Sequence, residues 1–526
     1  MKQFSGLLIV LFTFLSTLVA EDLSPVVVNI DETKVIKSWD AGILGITFDQ
    51  NADQSLVSPT DTNSPVCGLR DEIIELVSGF PIDLARCTIS TGKPIPWKDR
   101  IGPLGQRPPQ KLAPWDTLGP KNFGLVEQLY YLRSLDKKTK IAWIVNLLDD
   151  PQDVADLAEF LCASATAKPR GKTNWAARRV LLGVVEPFDV IWELGNEADN
   201  IANSADYPSF QSYVYRCRVM IDAIRSVVPN AKFAAQASSM QGHVYKPDYQ
   251  KKYGGTWQDF HRTVLRELGD QIDYITTHTY FGKSGGTYMP GFQWENRQNS
   301  IINDIKSITK TNRIKIYNSE YGVMPEKKPG QSNVQQALHD THSLAGCLAV
   351  SDWIVRNINN PDVAIATMHC FSSGPWGVYR SAYNDASGKY IPCAPYLTGL
   401  HHLFKMIKQG TADARSVVAF TVSGDSTDSR TKEGTFIASC IKTRGGLTLF
   451  LVNRDPESER ELAVNTKLKY SLESWQTLSG ASLESRNEDK KKEIVVEQHT
   501  GQPGGAVTKK MRIPAKSILV VMLRRL

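Results

Sequence analysis

Two stretches of the chain carry an apolar run into a glutamate: Val190-Ile-Trp-Glu-Leu-Gly-Asn-Glu197 and Tyr317-Asn-Ser-Glu-Tyr-Gly322. A buried strand should not end in Asn196-Glu197 unless those side chains have work outside the core, because an unpaired buried carboxylate is costly. Two facing carboxyl groups are what glycosidic cleavage requires: one gives a proton to the leaving oxygen, the other attacks the sugar or positions water. Glu197 and Glu320 are therefore the candidate catalytic pair. They are distant in sequence and meet only if both runs are strands opening on a common mouth. His278, two residues before Tyr280, shares a strand face with it. Nothing in the sequence implies a metal or another cofactor: the nine histidines form no H-E-x-x-H or H-x-x-E-H pattern, there is no C-x-x-C, and the adjacent His401 and His402 cannot share one helix face.

The elements that would position the pair are legible as a repeating pattern. Apolar runs occur at Ile43–Phe48, Ile82–Ile89, Ile141–Leu148, Val190–Leu194, Phe233–Ala237, Tyr274–Tyr280, Ile314–Tyr317 and Val363–Phe371. Between them lie amphipathic segments such as Asp71–Val77, Leu125–Leu135, Val154–Ala163, Phe210–Val227 and Val334–Val355. Strand alternating with helix implies parallel pairing, and eight repeats predict a (β/α)8 barrel with Glu197 and Glu320 on strands four and seven. The alternative is an open doubly wound sheet, but no glycine-rich phosphate loop opens the first helix. After about residue 410 the texture changes to short strand-like runs separated by Gly, Asp, Ser and Asn, which predicts an antiparallel β-sandwich. The expected division is a signal peptide over 1–20, an N-terminal strand over 21–39 joining the sandwich, a barrel over 40–410 and a sandwich over 411–526.

The loops after the strands carry aromatic residues suited to sugar faces. Trp97 precedes the proline-rich Pro103–Pro120 segment, which holds Trp115; Phe281–Asn296 holds Tyr288, Phe292 and Trp294; Gly374–Pro395 holds Trp376 and Tyr379. Half of these rings are expected to pack loops onto the barrel instead. The 526 residues carry a net charge of +6 with no basic block or zinc-finger spacing, so nucleic acid is not the expected partner. Lys2, the apolar run Leu7–Ala20 and Glu21-Asp22 read as a secretory signal, the alternative being an uncleaved anchor. The expected product is a secreted, extracellular protein with no membrane span after signal removal. Export permits disulfides among the eight cysteines, but a chain this long does not need them.

A resemblance to a known family enters at this point. Gly195-Asn-Glu197 with a second glutamate on the seventh strand resembles the retaining barrel glycosidases of clan A. Arg86, the segment Trp97-Lys-Asp-Arg-Ile-Gly-Pro-Leu-Gly-Gln-Arg-Pro108, Phe123-Gly124-Leu125 and Ser319-Glu-Tyr321 resemble, more closely, the family 51 glycoside hydrolases, the α-L-arabinofuranosidases. The likeness covers roughly residues 40–400. It implies Glu197 as general acid/base and Glu320 as nucleophile, with Asn196 bonding the sugar 2-hydroxyl and Arg86 and Tyr280 holding Glu320 ionised. Asp49 takes the place of a sugar-binding glutamate, and His278 and Trp376 complete the candidate set. Where the family reads arginine–tyrosine–proline–glycine–glycine–asparagine, this chain has Arg86-Cys-Thr-Ile-Ser-Thr91, which removes a furanose contact. The expected function is a retaining glycoside hydrolase acting on cell-wall or matrix oligo- or polysaccharide, α-L-arabinofuranosidase-like. The alternatives are a clan relative cutting a pyranoside (a β-xylosidase, a heparanase-like β-glucuronidase or an agarase-type galactan hydrolase) and a non-catalytic carbohydrate-binding protein on the same scaffold.

Overall fold

The computed structural model describes residues 25–48, 54–58, 67–80, 82–88, 95–112, 117–135, 138–200, 205–238, 247–281, 283–284, 287–288, 291–324, 341–372, 376–384, 389–427, 433–501 and 511–526. A first strand, β1 (Val26–Ser38), precedes eight strands: β2 (Gly45–Thr47), β3 (Leu84–Cys87), β4 (Lys140–Val145), β5 (Val190–Leu194), β6 (Lys232–Gln236), β7 (Tyr274–Phe281), β8 (Lys315–Val323) and β9 (Val363–His369). Strands β2 to β9 pair in parallel, in chain order, and close on themselves as a barrel. Every one of the eight apolar runs is a strand. The first is shorter than its apolar run, because Asp40 caps the Gly42 amide at 2.8 Å and winds Ala41–Leu44 into a 3-10 turn. Gly45 then lets β2 approach β9, where a Cβ would lie 2.6 Å from the Thr367 methyl.

Alternation sets what faces inward. Leu84, Ala142, Ile191, Ala234, Tyr317 and Ile365 form one buried cluster inside the barrel, while Trp143, Trp192 and Leu194 join the outer core beneath the helices. Two residues nearer the mouth, the inward positions are Arg86, Glu193 and Gln236, all buried. The shell includes helices α1 (Leu125–Leu135), α2 (Pro151–Cys162), α3 (Phe210–Arg225), α4 (Trp257–Leu268), α5 (Gly291–Thr309), α6 (Leu344–Asn359) and α7 (Gly399–Thr411). Helix α6 starts ten residues later than the amphipathic segment Val334–Val355, whose first part lies outside the described residues.

Apart from four short two-stranded sheets, the remaining strands among the described residues are β10 (Ala414–Ser423), β11 (Phe436–Thr443), β12 (Gly446–Asn453), β13 (Arg460–Thr466), β14 (Tyr470–Ser479), β15 (Val495–Thr500), β16 (Met511–Ile513) and β17 (Ser517–Arg525). With β1 they form a nine-stranded sheet in the order β15-β14-β17-β12-β11-β10-β1-β13-β16, antiparallel except between β1 and β13. Strand β17 shows why it makes two layers: Leu519 and Val521 enter the sandwich's own core, whereas Ile518 and Val520 join the barrel core. Helix α6 lies at this junction and is buried almost all round.

The junction also holds an ionic network. Asp352 on α6, fully buried, accepts from Arg356 Nε at 2.6 Å and from Arg454 of the sandwich, while Glu433 accepts from Arg356 at 3.0 Å. Removing one member of a buried pair strands the other, at about 3–5 kcal/mol. Asp352→Ala is therefore expected to lower the unfolding free energy by roughly that amount in urea titration. A loss below about 1 kcal/mol would mean that the network behaves like a solvated surface pair.

Candidate active site

The mouth of the barrel gathers Arg86, Asn196, Glu197, His278, Tyr280 and Glu320 from four strands. Glu197 reaches it through a turn off the end of β5, where Gly195 has φ +86° and Glu197 itself φ +48°. A left-handed conformation disfavours a side chain, so the turn must be held from outside. Two residues hold it. The Tyr213 hydroxyl donates to the Leu194 carbonyl at 2.7 Å and accepts from the Gln236 amide at 2.8 Å, and the Gln236 side chain accepts from the Ala198 amide at 2.7 Å.

Glu320 is aimed by a different device. The β7–β8 ladder pairs Tyr317 with Thr276 and Asn318 with Thr277, then Glu320 with His278, leaving Ser319 as an extra residue. Strict alternation from the inward Tyr317 would turn Glu320 outward. The outward Asn318 marks that direction, donating to Gln298 of α5 at 2.9 Å and Asn357 of α6 at 2.8 Å. The bulge restores Glu320 to the inner face beside His278.

The contacts converge on Glu320. Its Oε1 accepts from Arg86 at 2.6 Å and its Oε2 from the Tyr280 hydroxyl at 2.7 Å. His278 Nδ1 lies 3.1 Å from Glu197 Oε1 and 3.6 Å from Glu320 Oε2. Asn200 Nδ2 donates to Glu197 Oε2 at 3.3 Å. Burial opposes the Glu320 charge, but His278, Arg86, His369 and the Tyr280 hydroxyl outweigh it and hold the carboxyl well below its ordinary 4.5. Burial likewise opposes an imidazolium at His278, yet Glu320 and Glu197 raise it above its ordinary 6.5. Burial and then the Glu320 charge push the Tyr280 phenol far above 10.0, so it remains a donor.

Arg86 is fully engaged. Besides Glu320 it donates to Asn196 Oδ1 at 2.7 Å and, through two nitrogens, to Glu193 at 2.7 and 2.8 Å. Trp376 is half-buried beside Tyr280 and His369, ring centroids 5.8 and 5.0 Å away, with its indole N–H on the Val323 carbonyl at 2.7 Å. Asp49 and Trp115 lie outside the described residues, as do the side chains of Tyr288 and Phe292. The remaining rings divide. Trp97 is buried against Phe160 and Trp175, and Tyr379 is buried with its hydroxyl 3.0 Å from Ser55, so both pack loops; Trp294 is half-buried under Arg297. The arginines of the family-like loop are also structural: Arg100 donates to Gln110 and Phe123, and Arg107 donates to the buried Glu127 at 2.9 Å.

Glu197, His278 and Glu320 bring donor atoms within 4.8 Å of one another, a spacing that could suit a divalent cation. Both Glu320 oxygens, however, are already committed to Arg86 and Tyr280, and a cation there would face a guanidinium. The set fits proton traffic better. Sequence reasoning missed Glu193, Gln236 and Tyr213 as supports. An ionisable residue in the middle of an apolar strand was the available signal for Glu193.

Fold and site together define a (β/α)8-barrel protein with an appended β-sandwich and two glutamates paired at the barrel mouth. The profile of the α-L-arabinofuranosidase 1 domain matches residues 87–281. An "Intracellular exo-alpha-(1->5)-L-arabinofuranosidase" of Streptomyces lividans is 26% identical over 224 residues, 42% of this chain and 31% of that protein. One of the same name from Acetivibrio thermocellus is 25% identical over 43% of this chain and 42% of its own length. The matched region thus spans less than half of these relatives. Among solved structures, the α-L-arabinofuranosidase of Thermotoga maritima superposes with TM-score 0.72 at 17% identity, covering 95% of this chain and 100% of that one. The family 51 enzyme AbfB of Bifidobacterium longum gives 0.75 at 17% identity, with the same coverage. The resemblance to the family 51 glycoside hydrolases therefore holds in sequence and in fold.

The relatives also correct one expectation. The run Leu7–Ala20 predicts secretion to an extracellular location, but the curated relatives are named intracellular. The signal reading rests on composition over a segment outside the described residues. Among the described residues all eight cysteines are thiols.

Proposed function

We propose that the chain is an intracellular retaining glycoside hydrolase that removes α-L-arabinofuranosyl units from oligosaccharides derived from plant-type or matrix polysaccharide. The observation that carries this reading is the approach of one Glu197 oxygen and one Glu320 oxygen to within 4.8 Å at the barrel mouth. Retaining glycosidases hold their carboxyls about 5–5.5 Å apart and inverting ones about 6.5–9.5 Å, where a water must fit between. Glu320, charged and fixed by Arg86 and Tyr280, is the nucleophile. Glu197, less buried and touching His278 and Asn200, is the proton donor and then the base. Asn196, next to Glu197 in the chain and bonded by Arg86, binds the sugar 2-hydroxyl, and Trp376 offers a ring face at the rim. In domain terms the reading assigns 40–410 to catalysis and 411–526, with 21–39, to the sandwich that buttresses it. The names of the relatives favour the furanoside over the pyranoside alternatives, and the intact carboxyl pair favours catalysis over sugar binding alone.

The test is hydrolysis of a panel of nitrophenyl glycosides with the first-formed product followed by proton NMR. Turnover of the α-L-arabinofuranoside with retained anomeric configuration is expected. Inversion would overturn the mechanism, and turnover confined to a pyranoside would overturn the sugar assignment.

A further inference from the structure

The mechanism gives Arg86 a problem that the geometry solves. Arg86 is fully buried and donates to Glu320, whose charge it balances in the resting site. When Glu320 attacks, its oxygen bonds to the anomeric carbon as the glycosidic carbon–oxygen bond breaks. The leaving oxygen takes the electron pair and the proton from Glu197. Glu320 is then an uncharged ester, and a guanidinium balanced only by Glu320 would be stranded in the core. A buried cation without a partner is among the costliest arrangements in a protein.

We propose that Glu193 is the standing counter-ion of Arg86, a positioning residue that lets Glu320 lose and regain its charge during the cycle. Resting on the glycosidase reading above, it assigns a role to a residue that never touches substrate. Glu193 is fully buried on β5, facing the barrel interior one layer below the mouth. Both its oxygens are given to Arg86, at 2.7 and 2.8 Å, a two-pronged pairing that fixes the plane of the guanidinium. The nitrogen not given to Glu193 then points at Glu320, and one that it shares reaches Asn196, at 2.6 and 2.7 Å. One planar group thus sets the position of the nucleophile and of the asparagine beside the acid. The groups facing Arg86 are Glu193, Asn196, Glu320 and Tyr317; those facing Glu320 are Arg86, His278, Tyr280 and His369. Of the carboxylates that bond Arg86, Glu193 is the one that keeps its charge through the reaction. In the second half, water attacks the anomeric carbon, Glu197 takes its proton, and the ester bond returns its electron pair to Glu320.

The variant Glu193→Gln keeps the volume and removes the charge. It should slow formation of the glycosyl-enzyme by on the order of 10²-fold, while KM changes little and the burst of nitrophenolate in the first turnover disappears. Glu193→Asp keeps the charge and should retain the burst with a smaller loss; it also carries the test if Glu193→Gln does not fold. In an Arg86→Met background, Glu193→Gln should cost nothing further, because its effect passes through Arg86. Wild-type turnover together with a Glu193→Gln burst like that of wild type overturns this inference alone. Additive losses with Arg86→Met, or a lowered melting temperature with rate unchanged, overturn it as well. No wild-type turnover on any glycoside would overturn the glycosidase reading itself, and this inference with it.

Discussion

Glu320→Ala removes turnover of the nitrophenyl furanoside by on the order of 10⁴-fold or more, and azide restores part of it with inverted product. The argument begins with charge. Glu320 is the carboxylate on which a guanidinium, a histidine and a phenol converge, and together they outweigh burial. Such a group is ionised through the whole working range, as a nucleophile must be. The pH profile follows with its sign. Because the Glu320 carboxyl is held well below 4.5, its protonation makes no limb above that pH. His278, raised above 6.5, keeps its positive charge past that point, so its loss shapes the alkaline side. Truncation to Ala opens room beside Arg86 and Tyr280 for a small anion to attack from the same face, giving a single displacement in place of two. Undiminished activity in this variant would remove Glu320 from the mechanism, as would an acidic limb above 4.5 that disappears with it.

How much of this was visible in the chain can be argued from particular residues. All eight barrel strands and the sandwich were legible, since strand runs bounded by polar ends follow a period that sequence displays directly. Glu197 was legible because a carboxylate ending an apolar strand needs a reason. Glu320 was legible as a residue but not as a geometry. Simple alternation from Tyr317 turns it outward, and the bulge at Ser319 that corrects this leaves no mark in composition. Strand β14 and helix α5 were not named, because Tyr470–Ser479 mixes polar and apolar residues on both faces and Gly291–Thr309 opens on a glycine-rich loop. The supports of the site were hidden for the same kind of reason. Gln236 and Tyr213 act through backbone atoms of another element, and no spacing within one segment encodes that contact. Trp97 misled: an indole beside a proline-rich loop suits a sugar platform equally well, and only packing against Phe160 and Trp175 shows that it holds the loop down.

The acid partner makes a sharper prediction, because its contribution depends on the leaving group. Glu197→Ala should lose about 10²–10⁴-fold on an arabinosyl disaccharide, whose departing alkoxide needs a proton as the bond breaks. On a nitrophenyl furanoside the departing phenolate needs little help, so bond cleavage should be nearly unaffected. Glu197 is also the base for the second step, so hydrolysis of the glycosyl-enzyme slows for both substrates. The nitrophenyl substrate should therefore show a full burst followed by a slow steady state, while the disaccharide shows no burst. Azide needs no base and should speed the slow phase, yielding a glycosyl azide of retained configuration. That is the opposite stereochemistry from the azide product of Glu320→Ala, because here Glu320 still takes the first displacement. The pair of outcomes separates the two carboxylates by role as well as by importance. Equal losses in the bond-cleaving step on both substrates would leave Glu197 without the acid role, and retained azide product from both variants would contradict the assignment of either.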